Sequence, residues 1–318
     1  MNMLRLFGSL AAGLAITLAT QVSAQETLKL AVGQRTLWDT SVSEIGQRAG
    51  IFKKHGLNLE ILYTQGAGET QQAVIAGSVD VGTGAGIMGV LSAFSKGAPV
   101  RIIGAEITGA GDLFWYVKAD SPIKSIQEVG EGKTIAYSTN GSSTHGVVTA
   151  FIKQFGLKAK PIATGGPPAT LTQVMSDQID VGWSAPPVGL DLLDQGRIRL
   201  LATGNDTLFK DQVVRLNIAN AQVLQSRKAA IERYMKGYRE TVDFMYSDPA
   251  AIKIYAEFAG ISEAQGKRIR DTFFPKQALS PDQLIGLDVI LKDAVELKFT
   301  TTELKKEQLG ELIQIPPR

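Results

Sequence analysis

The sequence predicts an α/β protein of two similar lobes, with mixed, mostly parallel sheets flanked by helices. Three observations carry that prediction. The chain has 318 residues, 44% hydrophobic and 20% charged, which is enough for one large domain or two of ordinary size with real cores. Strand-like and helix-like stretches alternate along it, the pattern of parallel sheets with crossover helices. The chain also resembles itself. Phe52-Lys53-Lys54-His55-Gly56-Leu57 returns as Ile152-Lys153-Gln154-Phe155-Gly156-Leu157, and without a gap positions 52–89 match 152–189 at 12 of 38 places. Ordinary residue frequencies give roughly two or three such matches. Shared turn glycines alone do not hold a register that long.

Taken in order, the first segment is a leader. Arg5, the apolar run Leu6–Ala19 and Val22-Ser23-Ala24 before Gln25 have the three parts of a secretory signal, so residues 1–24 are expected to be cleaved. No cysteine follows to carry a lipid, which points to a free extracytoplasmic protein, periplasmic in location. A strand Leu28–Val32 and a loop Gly33–Asp39 come next. The first repeat copy then has a helix ending at Gly56, a strand Leu59–Tyr63, a loop Thr64–Glu69 and a helix Thr70–Ala76. A short strand ending at Gly82, a further loop and helix, and a strand Val100–Ala105 complete it. The second copy is led by Thr134–Tyr137 and the loop Ser138–Thr144. It continues with a helix ending at Gly156, a strand Ala159–Ala163, a loop Thr164–Pro168, a helix Thr170–Ser176, a strand ending at Gly182 and a strand Ile198–Ala202. Gly56 and Gly156 sit where a helix C-terminus needs a left-handed residue.

From Ser226 to Arg318 the pattern is helical. Ser226 is placed to cap the first helix, Asp248-Pro249 to start another, Ser262 with Gln265 to form a capping box, and Ser280-Pro281 to open a fourth. This segment is expected to pack back on the first lobe. Lobe 1 then comprises 25–110 and 213–318, lobe 2 comprises 111–212, and the chain crosses twice, near Thr108–Asp112 and Thr203–Arg215. In parallel sheets ligands bind beyond the carboxyl ends of the strands, so a ligand between the lobes faces six loops.

Composition excludes several chemistries. Lys plus Arg number 33 against 31 acids, which gives no basic face for nucleic acid. With no cysteine and two histidines, His55 and His145, thiol catalysis and a structural zinc site are out. Gly84-Ala85-Gly86-Ile87-Met88-Gly89, with Glu106 following, matches a dinucleotide fingerprint. It stands on the third strand rather than the first, and its counterpart Ser184-Ala185-Pro186-Pro187-Val188-Gly189 lacks the glycines. Gly141-Ser142-Ser143-Thr144-His145-Gly146 is placed like a hydrolase elbow, but His145 occupies the final glycine position and no histidine follows. Its hydroxyls and helix-start amides suit a neutral anion cradle, or plain N-capping by Ser142 or Ser143. Asp80 and Asp180, repeated acids, are assigned to orienting a turn in each lobe. No cofactor and no metal are expected.

Phe52–Glu60, Gly77-Ser78-Val79-Asp80-Val81-Gly82-Thr83-Gly84-Ala85 and Gly141–His145 together resemble the solute-binding proteins of nitrate/sulfonate/taurine-type ABC importers, the NMT1/THI5-like group. The resemblance is strongest over residues 26–205. It implies a type II periplasmic binding fold, a ligand enclosed by lobe closure, and delivery to a membrane permease with its ATPase. Relatives that synthesise a pyrimidine precursor use a cysteine-rich segment, which is missing here. The candidate ligand residues are Gln34, Arg35 and Trp38 in the first loop, Gly68 in the second, and Thr83, Gly84 and Ala85 in the third. In lobe 2 they are Asn140, Gly141, Ser142, Ser143, Thr144, Trp183 and Ser184. Arg35 is the one cation in these loops and is set to pair a carboxylate or sulfonate, so Arg35→Ala is expected to weaken affinity at least tenfold, unless the side chain merely faces solvent. Trp38 and Trp183 either sandwich an organic ligand or pack in the core. The expected molecule is a monomeric, non-enzymatic binding protein for a small organic anion. The alternatives are an extracytoplasmic oxidoreductase using Gly84–Gly89 and a ligand-sensing subunit for a receptor.

Overall fold

The segment Glu26–Gly33 is buried along most of its length and forms β1, the strand on which the first sheet is assembled. The computed structural model describes residues 25–318; the expected leader at 1–24 lies outside the described residues. After β1 come α1 (Val42–Arg48), α2 (Ile51–Lys54), β2 (Leu57–Thr64), α3 (Ala67–Ile75), β3 (Val81–Gly86), α4 (Ile87–Ser95) and β4 (Val100–Thr108). The chain then leaves this sheet for β5 (Phe114–Lys118), β6 (Thr134–Tyr137), α5 (Ser143–Phe155), β7 (Lys160–Ala163), α6 (Pro167–Met175), β8 (Gly182–Ser184), α7 (Leu190–Asp194) and β9 (Ile198–Thr203). It returns with β10 (Val213–Asn220). Six helices end the chain: α8 (Ala221–Ser226), α9 (Lys228–Ser247), α10 (Ala250–Ala259), α11 (Glu263–Phe273), α12 (Leu287–Glu296) and α13 (Lys306–Leu312).

The first sheet has the order β2-β1-β3-β10-β4, a second has β8-β5-β9, and β6 pairs with β7. Within the repeated units the pairings are parallel: β1 with β2 and β3, and β6 with β7. The other four pairings, of β10 with β3 and β4 and of β5 with β8 and β9, are antiparallel. The first sheet is therefore mixed, the second antiparallel and the third parallel, with less parallel pairing than the repeat suggested. β5 and β10 had no counterpart in the sequence reading. Each follows a crossing and runs back along a neighbour, so no crossover helix announces it. Strands expected to end at Gly82 and Gly182 instead begin at Val81 and Gly182, as β3 and β8.

The repeat has a physical basis. Gly56 and Gly156 both take left-handed φ, +72° and +63°. Thr64 and Thr70 share a hydroxyl–hydroxyl bond at 2.8 Å, and Thr164 and Thr170 share one at 2.6 Å. Asp80 Oδ2 accepts the backbone N–H of Lys29 at 2.8 Å, and Asp180 Oδ2 accepts that of Thr134 at 2.9 Å. Each repeated acid thus ties the start of its third strand to the leading strand.

The C-terminal helices cover the first sheet. Phe52 of α2 stacks on Tyr234 of α9 with centroids 5.5 Å apart, and Gln314 N–H reaches back to Ile102 O of β4. Asp248 caps α10 through the Ala250 N–H, and the Ser262–Gln265 capping box is formed. Ser280-Pro281 opens no helix. Pro281 O accepts the Ala105 N–H, so this segment borders β4, and α12 starts after Gly286. Ser226 ends α8 rather than capping a helix, its hydroxyl donating to Gln222 O. Among the described residues no helix is long and apolar enough to cross a membrane.

Candidate functional site

The carboxyl ends of β1, β2 and β3 face the loops that follow β6, β7 and β8. Glycine sets how closely they meet. A Cβ on Gly86 would lie 2.6 Å from Gly141 O, and one on Gly66 would lie 2.6 Å from the Thr139 hydroxyl. Gly89 is likewise pressed on the backbone of Gly141, and Gly68 on Asn140 O. Gly86 and Gly89 are therefore glycines because backbone from the facing loop occupies the space of side chains, while Gly84 takes a left-handed φ of +83° beside Gly33, uses that the dinucleotide pattern does not distinguish.

Between the two sides is a cavity of about 20 Å3, room for about one water. From the first sheet's side Gly33, Gln34, Leu37, Ala67, Gly84 and Arg215 line it. From the other side come Leu113, Ser138, Ser142, Ser143, Thr144 and Trp183. Six of the expected residues thus meet here: Gln34, Gly84, Ser142, Ser143, Thr144 and Trp183.

The α5 end of the cavity is built from hydroxyls. Ser142 caps α5, accepting the His145 N–H at 3.1 Å. Thr144 Oγ1 accepts the Ser138 N–H at 2.9 Å and bonds the hydroxyls of Ser138 and Ser142. Gly141, at φ +81°, donates its N–H to His145 Nδ1 at 3.1 Å. Burial lowers the pKa of His145, so the ring is neutral and its Nδ1 is free to accept. The Ser143 hydroxyl makes no hydrogen bond among the described residues, and the amides of Ser143 and Thr144 find no acceptor there either. These are the unmatched donors of a helix N-terminus. On the same side, Trp183 is 1% exposed and donates Nε1–H to Gly165 O at 3.2 Å. Gln34 holds a left-handed φ of +74° and donates to Gln65 O at 2.6 Å.

The other expected residues lie elsewhere. Arg35 is exposed, its guanidinium 4.9 Å from the Phe258 ring centroid and 5.7 Å from that of Tyr63. It is outside the cavity, as the surface alternative has it. Trp38 is fully buried, edge-on to Tyr246 and Tyr255, with Nε1–H donating to the Tyr246 hydroxyl at 3.0 Å; it takes the core alternative. Thr83 turns inward to Asn217 and Tyr234. Ala85 is buried in β3, and the Ser184 hydroxyl bonds Val188 O. Gly68 is a close-approach residue. Asn140 accepts from the Tyr137 hydroxyl and, with Gly141, borders a separate groove beside α4.

Arg215 was missed. It lies at the end of a stretch drawn as a crossing, and nothing local marks an arginine at the start of a buried strand. Its Nη2 donates to Asp112 Oδ2 at 2.7 Å, and its Nε lies 2.8 Å from Asp39 Oδ2 without pointing its hydrogen along that line. Burial opposes its charge, but Asp112, Asp39 and Glu106 outweigh that and hold its pKa above the ordinary value. The cavity's cation is thus already matched by carboxylates.

A model of the family described as NMT1/THI5 like matches residues 44–252. The chain belongs to the NMT1/THI5-like family. Among relatives, a candidate binding protein of Brucella abortus is 26% identical over 264 residues, covering 80% of this chain and 79% of its own length. A Saccharomyces cerevisiae protein named 4-amino-5-hydroxymethyl-2-methylpyrimidine phosphate synthase is 21% identical over 232 residues, 67% of this chain and 66% of that one. Among solved structures, the alkanesulfonate-binding protein SsuA of Xanthomonas axonopodis pv. citri, bound to MOPS, superposes with a TM-score of 0.74 at 17% identity, covering 91% of this chain and 98% of that one. This NMT1/THI5-like chain has the two-lobed periplasmic binding protein fold.

Proposed function

We propose that the chain is the extracytoplasmic solute-binding protein of an ABC importer. It captures a small organic anion, a sulfonate or carboxylate with an apolar or aromatic body, and hands it to a permease driven by an ATPase. Lobe 1 is 25–110 with 213–318, lobe 2 is 111–212, and the leader 1–24 directs export. The observation that carries this reading is the cavity between the two sheets, to which the α5 N-terminus brings the unmatched amides of Ser143 and Thr144 and the free hydroxyl of Ser143. Such donors receive an anion without a free cation, because the helix dipole and oriented N–H groups supply the positive potential. The Trp183 indole, also in the lining, offers an apolar face to the ligand's body. Small-molecule pockets hold about 300–1,000 Å3. The cavity's about 20 Å3 means that capture requires the lobes to part and to close around the ligand by hinge motion.

A catalytic reading draws on the name of the yeast relatives. Against it stands the absence of cysteine from the chain, and the glycine-rich turn that a dinucleotide enzyme would use is packed against Gly141. The test is a thermal-shift panel on the mature protein, unfolded and refolded to strip carried ligand. The panel holds alkyl and aromatic sulfonates and carboxylates, nitrate, taurine, pyrimidines and NAD. A ligand at a hundred times its Kd adds about 2.7 kcal/mol. A shift from one organic anion, with no turnover of it, supports the proposal; a shift from NAD alone overturns it.

A further inference from the structure

A buried charged group borders the cavity through Arg215. Asp39, Glu106, Asp112 and Arg215 are all buried, at most 3% exposed. Arg215 ties Asp112 and Asp39 together, and Glu106 accepts the N–H of Gly84. Both oxygens of Asp39, Oε1 of Glu106 and Oδ1 of Asp112 have no donor among the described residues. Glu106 and Asp39 are neighbours in this group, and the charge of Asp39 acts directly on the Glu106 carboxyl. Two carboxylates offer each other only acceptors, whereas one proton between them makes an O–H···O⁻ bond and satisfies an oxygen on each. The same proton cuts the net charge of one guanidinium and three carboxyls from two negatives to one.

The group also spans the hinge. Asp112 lies on the outgoing crossing, Arg215 near the start of β10 after the returning one, and Asp39 on the loop after β1. Arg215 and Gly84 face the cavity, so parting the lobes brings water to the groups that hold the carboxyls. We propose that Glu106 holds one proton against Asp39 in the closed molecule and releases it as the lobes part, so that closure takes up a proton. Burial, then the charge of Asp39, pushes the Glu106 carboxyl well above its usual range, and water relieves both effects. Apart from Asp112, the other ionisable groups facing the pair do not titrate near neutrality. Tyr234 and Tyr238 of α9 are raised by burial, Tyr234 to about 12. Burial also raises Tyr246 of α9 and Tyr255 of α10, and Arg215 stays charged. Asp112, pushed up to about 6 by burial against the pull of Arg215, ionises below neutrality. The sign follows: a proton held by the closed form favours closure at low pH, and closure weakens by up to tenfold per pH unit once the open form has lost it. Asp39 and Glu106 are positioning residues of the hinge, whichever ligand the cleft takes.

The experiment pairs infrared spectroscopy with small-angle scattering of the mature chain, without added ligand, from acid through neutral to alkaline pH. A protonated-carboxyl band should persist at neutral pH, and its loss on raising the pH should coincide with an increase in radius of gyration. Glu106→Gln should lack the band and the increase. If Glu106→Gln does not fold, Asp39→Asn removes the neighbouring charge, and the band should then titrate at lower pH. A wild-type chain without the band at neutral pH overturns the proposal. So does a radius of gyration that stays constant while the band titrates, or an Asp39→Asn titration unchanged from wild type. None of these readouts depends on the ligand panel, so the two proposals fail separately.

Discussion

Arg215 is held by two buried ion pairs, and removing it strands Asp39 and Asp112 as buried carboxylates. Breaking a buried pair in this way costs about 3–5 kcal/mol. Arg215→Met is therefore expected to lower Tm by several degrees at pH 8 and by less at pH 5, where the stranded Asp112, pushed up to about 6 even beside the arginine, takes up a proton; thermal unfolding at the two pH values checks it. Arg35 is the contrast. Its contacts are exposed cation–π contacts worth about 0.5–1 kcal/mol, so Arg35→Ala should cost at most that in stability and leave affinity within about twofold. Ser143→Ala should do the opposite. Its hydroxyl is unbonded among the described residues, so Tm should hold, while losing a hydrogen bond to an anion, about 1.5–3 kcal/mol, should weaken affinity at least tenfold in a calorimetric titration.

At the scale of elements, the interface between the lobes rests on backbone meeting backbone. β3 runs into α4 through Gly86, against which the loop before α5 packs, and a Cβ there meets Gly141 O at 2.6 Å and the Ser143 N at the same distance. Neither side is a flexible side chain that can swing away. Gly86 also has an ordinary φ of −70°, so alanine brings no backbone strain of its own. Gly86→Ala should consequently hold the lobes apart, with a larger radius of gyration and at least tenfold weaker binding but little change in Tm, because each sheet keeps its core. Scattering and titration of the same preparation would separate this from a folding defect, which would lower Tm as well.

Across the whole molecule, the C-terminal helices do more than cover the first sheet. Arg268 of α11 holds Asp194 of α7 through two bonds of 2.5 and 2.9 Å, and Gln265 donates to Asp191 at 3.1 Å. Near the end of α12, Glu296 pairs with Lys153 of α5, and Phe299 meets the His145 ring edge-on at 5.2 Å. These contacts bridge the lobes at two places. Both ion pairs are about half exposed, and such pairs are worth about 0.2–1 kcal/mol and are screened by salt. Arg268→Ala should thus loosen ligand binding by no more than about fivefold at low ionic strength, a difference from wild type that high salt abolishes. A larger or salt-independent loss would mean that α11 is needed for the fold rather than for holding the closed form.

The sequence by itself determined the repeated units, because they rest on local requirements: Gly56 and Gly156 where a left-handed residue must end a turn, Asp80 and Asp180 where a strand must be tied to its neighbour. It also located the α5 N-terminus, since Ser142, Ser143 and Thr144 lie together in the chain and cap geometry is short-range. The antiparallel strands β5 and β10 were not legible, because pairing direction across a hinge is a long-range choice. Nor was the exchange of Arg35 for Arg215. Both are arginines in or near loops, and only the packed structure shows that Phe258 and Tyr63 draw one to the surface while Asp39 and Asp112, 176 and 103 positions away from it, draw the other under the cleft. Trp38 and Trp183 likewise stood as equals in the sequence. Tertiary packing set their surroundings: α9 and α10 supply the tyrosines that enclose Trp38, while Trp183, as deeply buried, borders the cavity. Local geometry is written in neighbouring residues; the fate of a side chain depends on what distant segments bring to it.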